Sequence, residues 1–240
     1  MDGQQSQRIN IYQTGEHPCS YLPGRIAVTQ FIDPNLLLPM EAVEHLAELG
    51  FRRSGDHIYT PSCPGCSSCV SVRVKVKDFK PNRTQRKVLN RNQDLRIEVA
   101  RPELSLEVYR LYRQYINHRH SDGDMYPPSA RQLKEFLCID TGYSSFWKFY
   151  DGKKLLGIAV TDHFSKGLAS VYSFFCPYSG KRSLGVYFVL RQILAAREAG
   201  LDYLYLGYLI EGCRKMSYKS NFGPLEHLDH DTGTWKVNSN

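Results

Sequence analysis

Between residues 95 and 210 the hydrophobic period switches in a fixed order: strand, helix, helix, three strands, helix, strand. "PELSLEVYRLYRQYINHRH" lines up Leu104, Val108, Leu111, Tyr112 and Tyr115 on one helical stripe. "SDGDMYPP" breaks that helix, and "SARQLKEFLC" starts another with Ser129 as its N-cap. "SFWKFYDGKKLLGIAVTDHFSKGLASVYSFFCP" reads as three strands joined by tight turns at Asp151-Gly152 and Lys166-Gly167. "LGVYFVLRQILAAREAG" is a third helix closed by Gly200, and "LDYLYLGYLI" is a last strand. "GCRKMSYKSNFGP" then reads as a loop or short helix, and the polar stretch after residue 226 as a frayed tail.

The first hundred residues have another texture. Residues 1–18 are polar and expected to be loose apart from a short strand in "INIYQT". "CSYLPGRIAVTQFIDP" reads as a turn followed by a strand. "PMEAVEHLAELGF" places Met40, Val43, Leu46 and Ala47 on one helix face, with Pro39 near its start and Gly50 at its end. "FRRSGDHIYTPSC" reads as a strand pair about Ser54-Gly55. "VSVRVKVKDF" alternates strictly: Val70, Val72, Val74 and Val76 face one way, Ser71, Arg73, Lys75 and Lys77 the other. The expected product is a strand with one buried face and an exposed basic comb, followed by a second basic stripe in "NRTQRKVLNRNQDL". The chain therefore divides into residues 1–100, with a cysteine cluster and the basic strand, residues 101–226, and a polar tail over 227–240. The fold class is α+β.

Charge is distributed unevenly. Residues 73–101 hold ten basic residues against three acidic ones, which equals the +7 of the entire 240-residue chain. A local basic block on a neutral body fits a polyanionic partner. No apolar run approaches the ~20 residues needed to cross a membrane. The start "MDGQQSQRIN" has no apolar core, so neither a secretory signal nor a membrane partner is expected, and the expected compartment is the cytoplasm. The cysteines number seven, which does not suit a disulfide framework. Cys138 and Cys176 read as small apolar core groups.

The order of elements in residues 95–210 resembles that of the GCN5-related acetyltransferase-like domain. In that fold the helix after the three-strand meander turns its N-terminus toward a pyrophosphate. The corresponding loop is "GKRSLGVYF": Arg182, Gly185 and then Tyr187, where a small residue is usual. Tyr187 argues against ordinary coenzyme A binding and leaves a phosphate-facing helix end. Five further stretches carry a second resemblance: "CSYLPGR" (19–25), "YTPSCPGCSSCVSVRV" (59–74), "FKPNRTQRKVLNRN" (79–92), "YINHRHSDGDM" (115–125) and "LGYLIEGCRKMSYKSNFGPLEHL" (206–228). In these the chain resembles the bacterial branch of the arginyl-tRNA–protein transferase family, the aspartate/glutamate leucyltransferases.

That resemblance implies an N-terminal family-specific domain and a C-terminal acyltransferase-like domain. It implies transfer of leucine from leucyl-tRNA to the N-terminal amine of proteins beginning with Asp or Glu. Such a transfer marks the acceptor for N-degron degradation and involves the degradation machinery only indirectly. Leucine is favoured by the compact length and the likeness to the bacterial branch rather than by any pocket residue, and arginine is the alternative donor. The aminoacyl ester is already activated, so no cofactor is required, and no phosphate-cradling glycine loop of the ATPase kind occurs. On this reading Lys75, Lys77, Lys80, Arg83, Arg86, Lys87, Arg91 and Arg182 are candidates for tRNA binding. The acceptor carboxylate calls for a cation, and Arg73, Arg119, Lys215 and Lys219 are the candidates, with Arg73 or Lys215 as the reader. His120, Asp124 and Tyr218 are the candidate catalytic groups, and Phe174, Tyr187 and Tyr208 the candidate apolar wall for leucine. Two other functions fit parts of the chain: a coenzyme-A-dependent N-acyltransferase and a non-enzymatic zinc-ribbon RNA-binding protein.

Cys63, Cys66 and Cys69 lie three apart, and Cys19 is a candidate fourth ligand for zinc or an iron–sulfur cluster. Eukaryotic members of the family resemble this chain here with a Cys-x-x-Cys pair plus an adjacent Cys-Cys pair. In this chain Leu22 breaks the first pair and the second is spread out. A reduced turn packed on "CSYLPGR" is the alternative.

Overall fold

The computed structural model describes residues 9–237; residues 1–8 and 238–240, which hold parts of the expected loose start and tail, lie outside the described residues. The chain opens with β1 (Ile11–Gln13), β2 (His17–Pro18), β3 (Ile26–Ala27) and β4 (Thr29–Ile32). α1 (Met40–Glu48) buries Val43, Leu46 and Ala47, as the helical spacing predicts. β5 (Arg52–Ser54) and β6 (His57–Pro61) form a hairpin, and the order β1-β4-β6-β5 makes a four-stranded sheet.

The larger layer begins with β7 (Cys69–Lys75), α2 (Arg83–Arg91) and β8 (Arg96–Ala100). α2 starts with a capping box in which Asn82 and Gln85 satisfy each other's backbone N–H groups. α3 (Leu106–Arg119) and α4 (Ala130–Leu137) are capped by Ser105 and Ser129, each side chain accepting from an N–H three residues on. Then come the meander β9 (Ser144–Asp151), β10 (Lys154–His163) and β11 (Gly167–Phe175), followed by α5 (Leu184–Glu198) and β12 (Tyr203–Ile210). A 3-10 turn over Ser217–Phe222 leads to the hairpin β13 (Leu225–Asp229) and β14 (Thr234–Val237). The eight-stranded sheet runs β14-β13-β7-β12-β11-β10-β9-β8. Its parallel pair is β11 with β12, bridged by the α5 crossover.

Neighbouring residues of β11 show how the sheet is covered. Phe174 meets Tyr112 of α3 edge-on at 5.6 Å, while Phe175 meets Phe188 of α5 at 6.0 Å. Successive strand residues point to opposite faces, so α3 and α5 cover opposite sides. α5 is apolar nearly all round because α2 packs on its outer side. Gly157 lets α5 sit close: a Cβ there would lie 2.3 Å from the Phe188 ring.

The four-stranded sheet and α1 are tied to the large sheet by charge. Arg53 forks onto Asp162 of β10 at 2.7 and 2.8 Å, and Ser144 also bonds this carboxylate. Glu44 of α1 accepts from the Ser165 and Lys166 N–H groups in the β10–β11 turn at 3.0 and 2.8 Å. The stretches 1–100 and 101–226 thus share one sheet, since β7 lies between β12 and β13 and β8 forms the far edge.

Two expectations need correction. Residues 227–237 are not a frayed tail, because β13 and β14 add them to the sheet beside β7. For the same reason Arg73 is not exposed. β7 is paired on both sides, and the hairpin covers the side on which the basic comb was expected. Arg73 is 7% exposed, bonds Glu226 at 2.7 Å, and lies 3.6 Å from the Tyr203 ring centroid and 4.2 Å from that of Trp235. Ser71 is also buried, whereas Lys75 and Lys77 keep their charged ends in water.

Truncating one partner of a buried ion pair strands the other. Arg73→Ala should therefore cost about 3–5 kcal/mol of folding stability. Lys75→Ala should stay within about 0.5 kcal/mol. Urea denaturation of the two variants checks the contrast.

Candidate active site

β11 and β12 pair only over Gly167–Ala169 with Tyr203–Tyr205, and then part. β12 goes on along β7 after a register shift between Tyr205 and Gly207, with Gly207 at φ +80°. Beyond the parting, a cavity of about 470 Å³ opens between the C-terminal end of α3, the end of β11, the N-terminus of α5 and the loop after β12. Tyr115, Arg119, His120, Ser173, Phe175, Lys215 and Tyr218 contribute side chains to its wall, and residues 179–180 and 183–186 complete it.

The loop before α5 is held from behind. Asn92, fully buried, donates from Nδ2 to the carbonyls of Val88 and Arg182, each at 2.8 Å. Arg182 forks onto Asp94 at 2.9 and 2.7 Å and reaches Asp151 at 3.2 Å. Ser183 takes up a left-handed conformation at φ 53°, which turns the chain directly into the helix. The first N–H groups of α5 have no partner within the helix and end at the cavity.

The other wall is cationic and protic. His120 ends α3, and its Nε2 is hydrogen-bonded with the Tyr115 hydroxyl at 3.3 Å. Burial, and then the Lys215 charge, hold the His120 imidazolium below its ordinary range against the pull of Asp122. His120 is therefore neutral near pH 7 and free to accept a proton. Lys215 is exposed and bonds Asp122 at 3.2 and 3.3 Å. Arg119 lies 5.8 Å from the Phe175 ring centroid. Tyr218 keeps part of its ring exposed, while desolvation of its hydroxyl holds the proton on. Asp124 stands apart from the cavity wall and accepts from Ser20 Oγ at 3.5 Å.

The sequence-expected residues divide by place. Arg119, His120, Lys215 and Tyr218 come together in the cavity. Lys219 is 6% exposed and turns inward, donating to the Tyr208 carbonyl at 2.5 Å. Phe174, Tyr187 and Tyr208 are core groups rather than a leucine pocket, since each is at most 4% exposed. Arg83, Arg86, Lys87 and Arg91 form one exposed face of α2, with Lys80 just before it. That helix is bonded at both ends to segments beside the cavity. Gln85 donates to the Asn221 carbonyl at 2.7 Å, and Arg91 donates to the Lys181 carbonyl. Lys75 and Lys77 lie farther along and pair with Asp78 and Asp202. Cys176 is buried and Cys138 half-buried.

Three of the four candidate thiols are engaged locally. Cys19 accepts from the Leu22 N–H, Cys63 bonds the Val28 backbone, and Cys66 bonds Ser68. Burial and then the neighbouring thiols push Cys69 up to about 11, whereas hydrogen bonding to Ser68 lowers Cys66. Among the described residues no group of three or more His, Cys, Asp or Glu side chains is arranged to hold a metal ion.

Sequence reading missed Arg52. It stands on β5, yet its guanidinium enters the gap between the parting strands and donates to the Ser170 carbonyl at 3.1 Å. A Cβ on Gly207 would lie 3.0–3.2 Å from it. Glycine is what admits both the positive φ and the guanidinium. No local signal marks Arg52, because Ser170 and Gly207 are far along the chain.

A basic helix face thus lies beside a cavity lined by an imidazole, a phenol and two cations. Residues 17–87 match the family described as "Arginine-tRNA-protein transferase, N terminus", and residues 107–229 match "Arginine-tRNA-protein transferase, C terminus". The chain belongs to this family of transferases. It is 47% identical over 222 residues to the "Aspartate/glutamate leucyltransferase" of Hahella chejuensis, covering 92% of this chain and 95% of that protein. It is 48% identical over 219 residues to the protein of the same description from Pseudomonas aeruginosa, covering 91% and 93%. Among solved structures it is similar to FemX, with a TM-score of 0.47 and 8% identity over 89% of this chain and 84% of that one. No helix among the described residues is long and apolar enough to cross a membrane.

Lys219 supplies a pH test of this geometry. Burial, and then the Arg52 charge, bring its ammonium down from 10.5 to about 7. Between these values the unfolded chain binds more protons than the folded one, so stability rises as pH climbs from about 7 toward 10. Lys219→Met removes that contribution. The melting temperature of the wild type relative to the variant should rise by about 4 °C or more between roughly pH 6.5 and 9.5. A constant difference in thermal denaturation would contradict the buried, charge-opposed position of Lys219.

Proposed function

We propose that this chain transfers a leucyl group from the 3′ end of leucyl-tRNA to the α-amine of a protein that begins with Asp or Glu. The observation that carries the reading is the placement of α2. The helix is hydrogen-bonded at both ends to segments next to the cavity while its basic face turns outward, so a nucleic acid lying on that face would bring its end toward His120, Lys215 and Tyr218. The leucine donor and the acidic acceptor are taken from what the relatives' descriptions say of those proteins.

The chemistry follows from the cavity. The acceptor's α-amine, with an ordinary pKa of about 8, has a useful neutral fraction near pH 7. Its nitrogen attacks the ester carbonyl, the carbonyl oxygen gains negative charge, and the 3′-oxygen of the tRNA leaves. Neutral His120 takes the proton from the attacking nitrogen. Tyr218 carries a proton suited to the leaving oxygen. The free N–H groups of α5 and the Lys215 ammonium favour the oxyanion. Arg119 and Lys215 also attract an acidic N-terminus into the cavity. The aminoacyl ester supplies its own activation, so this route calls for no cofactor. The leucine added to the acceptor would then serve as a degradation signal.

The direct test supplies purified protein, tRNA charged with each amino acid in turn, and peptides with each N-terminal residue. Labelled leucine should appear on Asp and Glu peptides; absence of any aminoacyl-peptide product overturns the reading. His120→Ala should lower kcat by about 10²-fold or more at unchanged tRNA affinity. Neutralising Arg83, Arg86 or Lys87 should each reduce the salt slope of tRNA binding by about one. Salt titrations of the variants check that expectation, and unchanged slopes would remove α2 from the tRNA path.

A further inference from the structure

Arg52 differs from the arginine next to it in sequence and from the one on the neighbouring strand β7. Arg53 is neutralised by Asp162, and Arg73 by Glu226. Arg52 is half-buried, and among the described residues no carboxylate lies within ion-pair distance of it. One Nη donates to the Ser170 carbonyl, which leaves most of the donor fork unspent. Among the ionisable groups that feel its charge are Tyr59, Tyr208, Tyr218 and Lys219. Lys219 is a second cation, and the phenols are neutral. Two cations near one another in a partly dry cleft oppose each other unless an anion joins them.

The position suits an anion that enters with substrate. Ser173, three residues beyond the carbonyl that Arg52 bonds, lines the cavity, and so does Tyr218, which senses the Arg52 charge. Arg52 therefore sits behind the cavity wall, next to Tyr218 and between the parting strands. A planar guanidinium with spare paired donors matches a carboxylate in two-point contact.

We propose that Arg52, assisted by Lys219, recognises the side-chain carboxylate of the acceptor's N-terminal Asp or Glu. The proposal rests on the transfer reading above. It replaces Arg73, which is committed to Glu226, as the reader of the acceptor. Lys215, which is exposed and paired with Asp122, is left at the cavity wall. Gly207 is part of the device, because a side chain there would push the guanidinium out of the gap.

The test compares kcat/KM for two peptides that differ only in an N-terminal Asp or Asn, with saturating leucyl-tRNA, for wild type, Arg52→Ala and Arg52→Lys. The Asp/Asn ratio should fall about 100-fold in Arg52→Ala and about tenfold in Arg52→Lys, which keeps charge but loses the fork. Affinity for leucyl-tRNA, measured by filter binding, should stay within about twofold of wild type. Because each ratio is internal to one preparation, partial unfolding does not alter it. If Arg52→Ala cannot be prepared folded, the Arg52→Lys ratio decides. An unchanged Asp/Asn ratio overturns the proposal. A loss of tRNA affinity with the ratio intact also overturns it, and assigns Arg52 to a phosphate. A wild-type protein that transfers leucine to neither peptide fails the transfer reading instead, and the proposal falls with it.

Discussion

The parting of β11 and β12 is the constraint around which the rest of the structure is arranged. A parallel pair held over three positions and then released leaves backbone groups and a wedge of space that something must occupy. β12 resolves its own side by pairing with β7, after a shift at Leu206 that Gly207 makes possible. The wedge receives a side chain from elsewhere in the chain, Arg52, carried in by β5 of the smaller sheet. The N-terminal stretch is therefore not an appendage to an acyltransferase-like sheet. It supplies a central strand and the group that fills the opening. The Arg53–Asp162 and Glu44–Ser165 contacts hold the smaller sheet where Arg52 can reach.

Charge separates the groups that hold the fold from those left for substrate. The well-buried Arg53 and Arg73 have carboxylates at 2.7 Å, and removing either partner would strand an ion away from water. The exposed pairs Lys77–Asp202 and Lys75–Asp78 are worth about 0–1 kcal/mol, so they constrain those lysines little. Arg182 lies between these cases. Its fork onto Asp94 fixes the loop before α5, and a phosphate would have to displace that carboxylate. The exposed face of α2 keeps its arginines out in water beside the cavity. The basic block visible in the sequence is thus three populations: buried and structural, exposed and paired, and exposed and available.

Most elements were legible because their signals are local. Ser129 caps α4 as expected, Gly200 ends α5 at φ +73°, and the meander turns where Asp151-Gly152 and Lys166-Gly167 place it. What failed was inference about neighbours. Alternation in "VSVRVKVKDF" correctly separates the valines from the polar residues, and Val72, Val74 and Val76 are at most 1% exposed. It is silent about whether the second face meets water. That depends on β13 and β14, whose residues read as a polar tail because Leu225, Leu228, Trp235 and Val237 are few among charged and polar neighbours. The cavity was half legible: "NHRHSDGDM" and "CRKMSYKSNF" supply His120, Lys215 and Tyr218, but Arg52 in "FRRSG" looks like any basic strand residue. Its role rests on a strand that parts from its neighbour more than a hundred residues later, and no short pattern encodes that. The regular spacing of the cysteines admitted either a metal site or a reduced turn, and Cys63 and Cys66 bond nearby backbone and Ser68.

An unneutralised cation in a cleft destabilises the free protein. Burial, and then the Arg52 charge, lower the proton affinity of Lys219, so the free cleft reduces its own charge by releasing a proton. A carboxylate placed between them reverses both effects: it gives the guanidinium a partner and favours protonation of Lys219. Binding of an acidic residue is then coupled to proton uptake, whereas a neutral residue of the same shape would leave Lys219 deprotonated and the guanidinium without an anionic partner. Discrimination thus comes chiefly from a cost already present in the free protein, which an anionic side chain removes and an amide cannot. The same cost explains why the wedge is not closed by an apolar residue, which would pack the parting strands more stably and leave the cleft indifferent to the charge of what enters it.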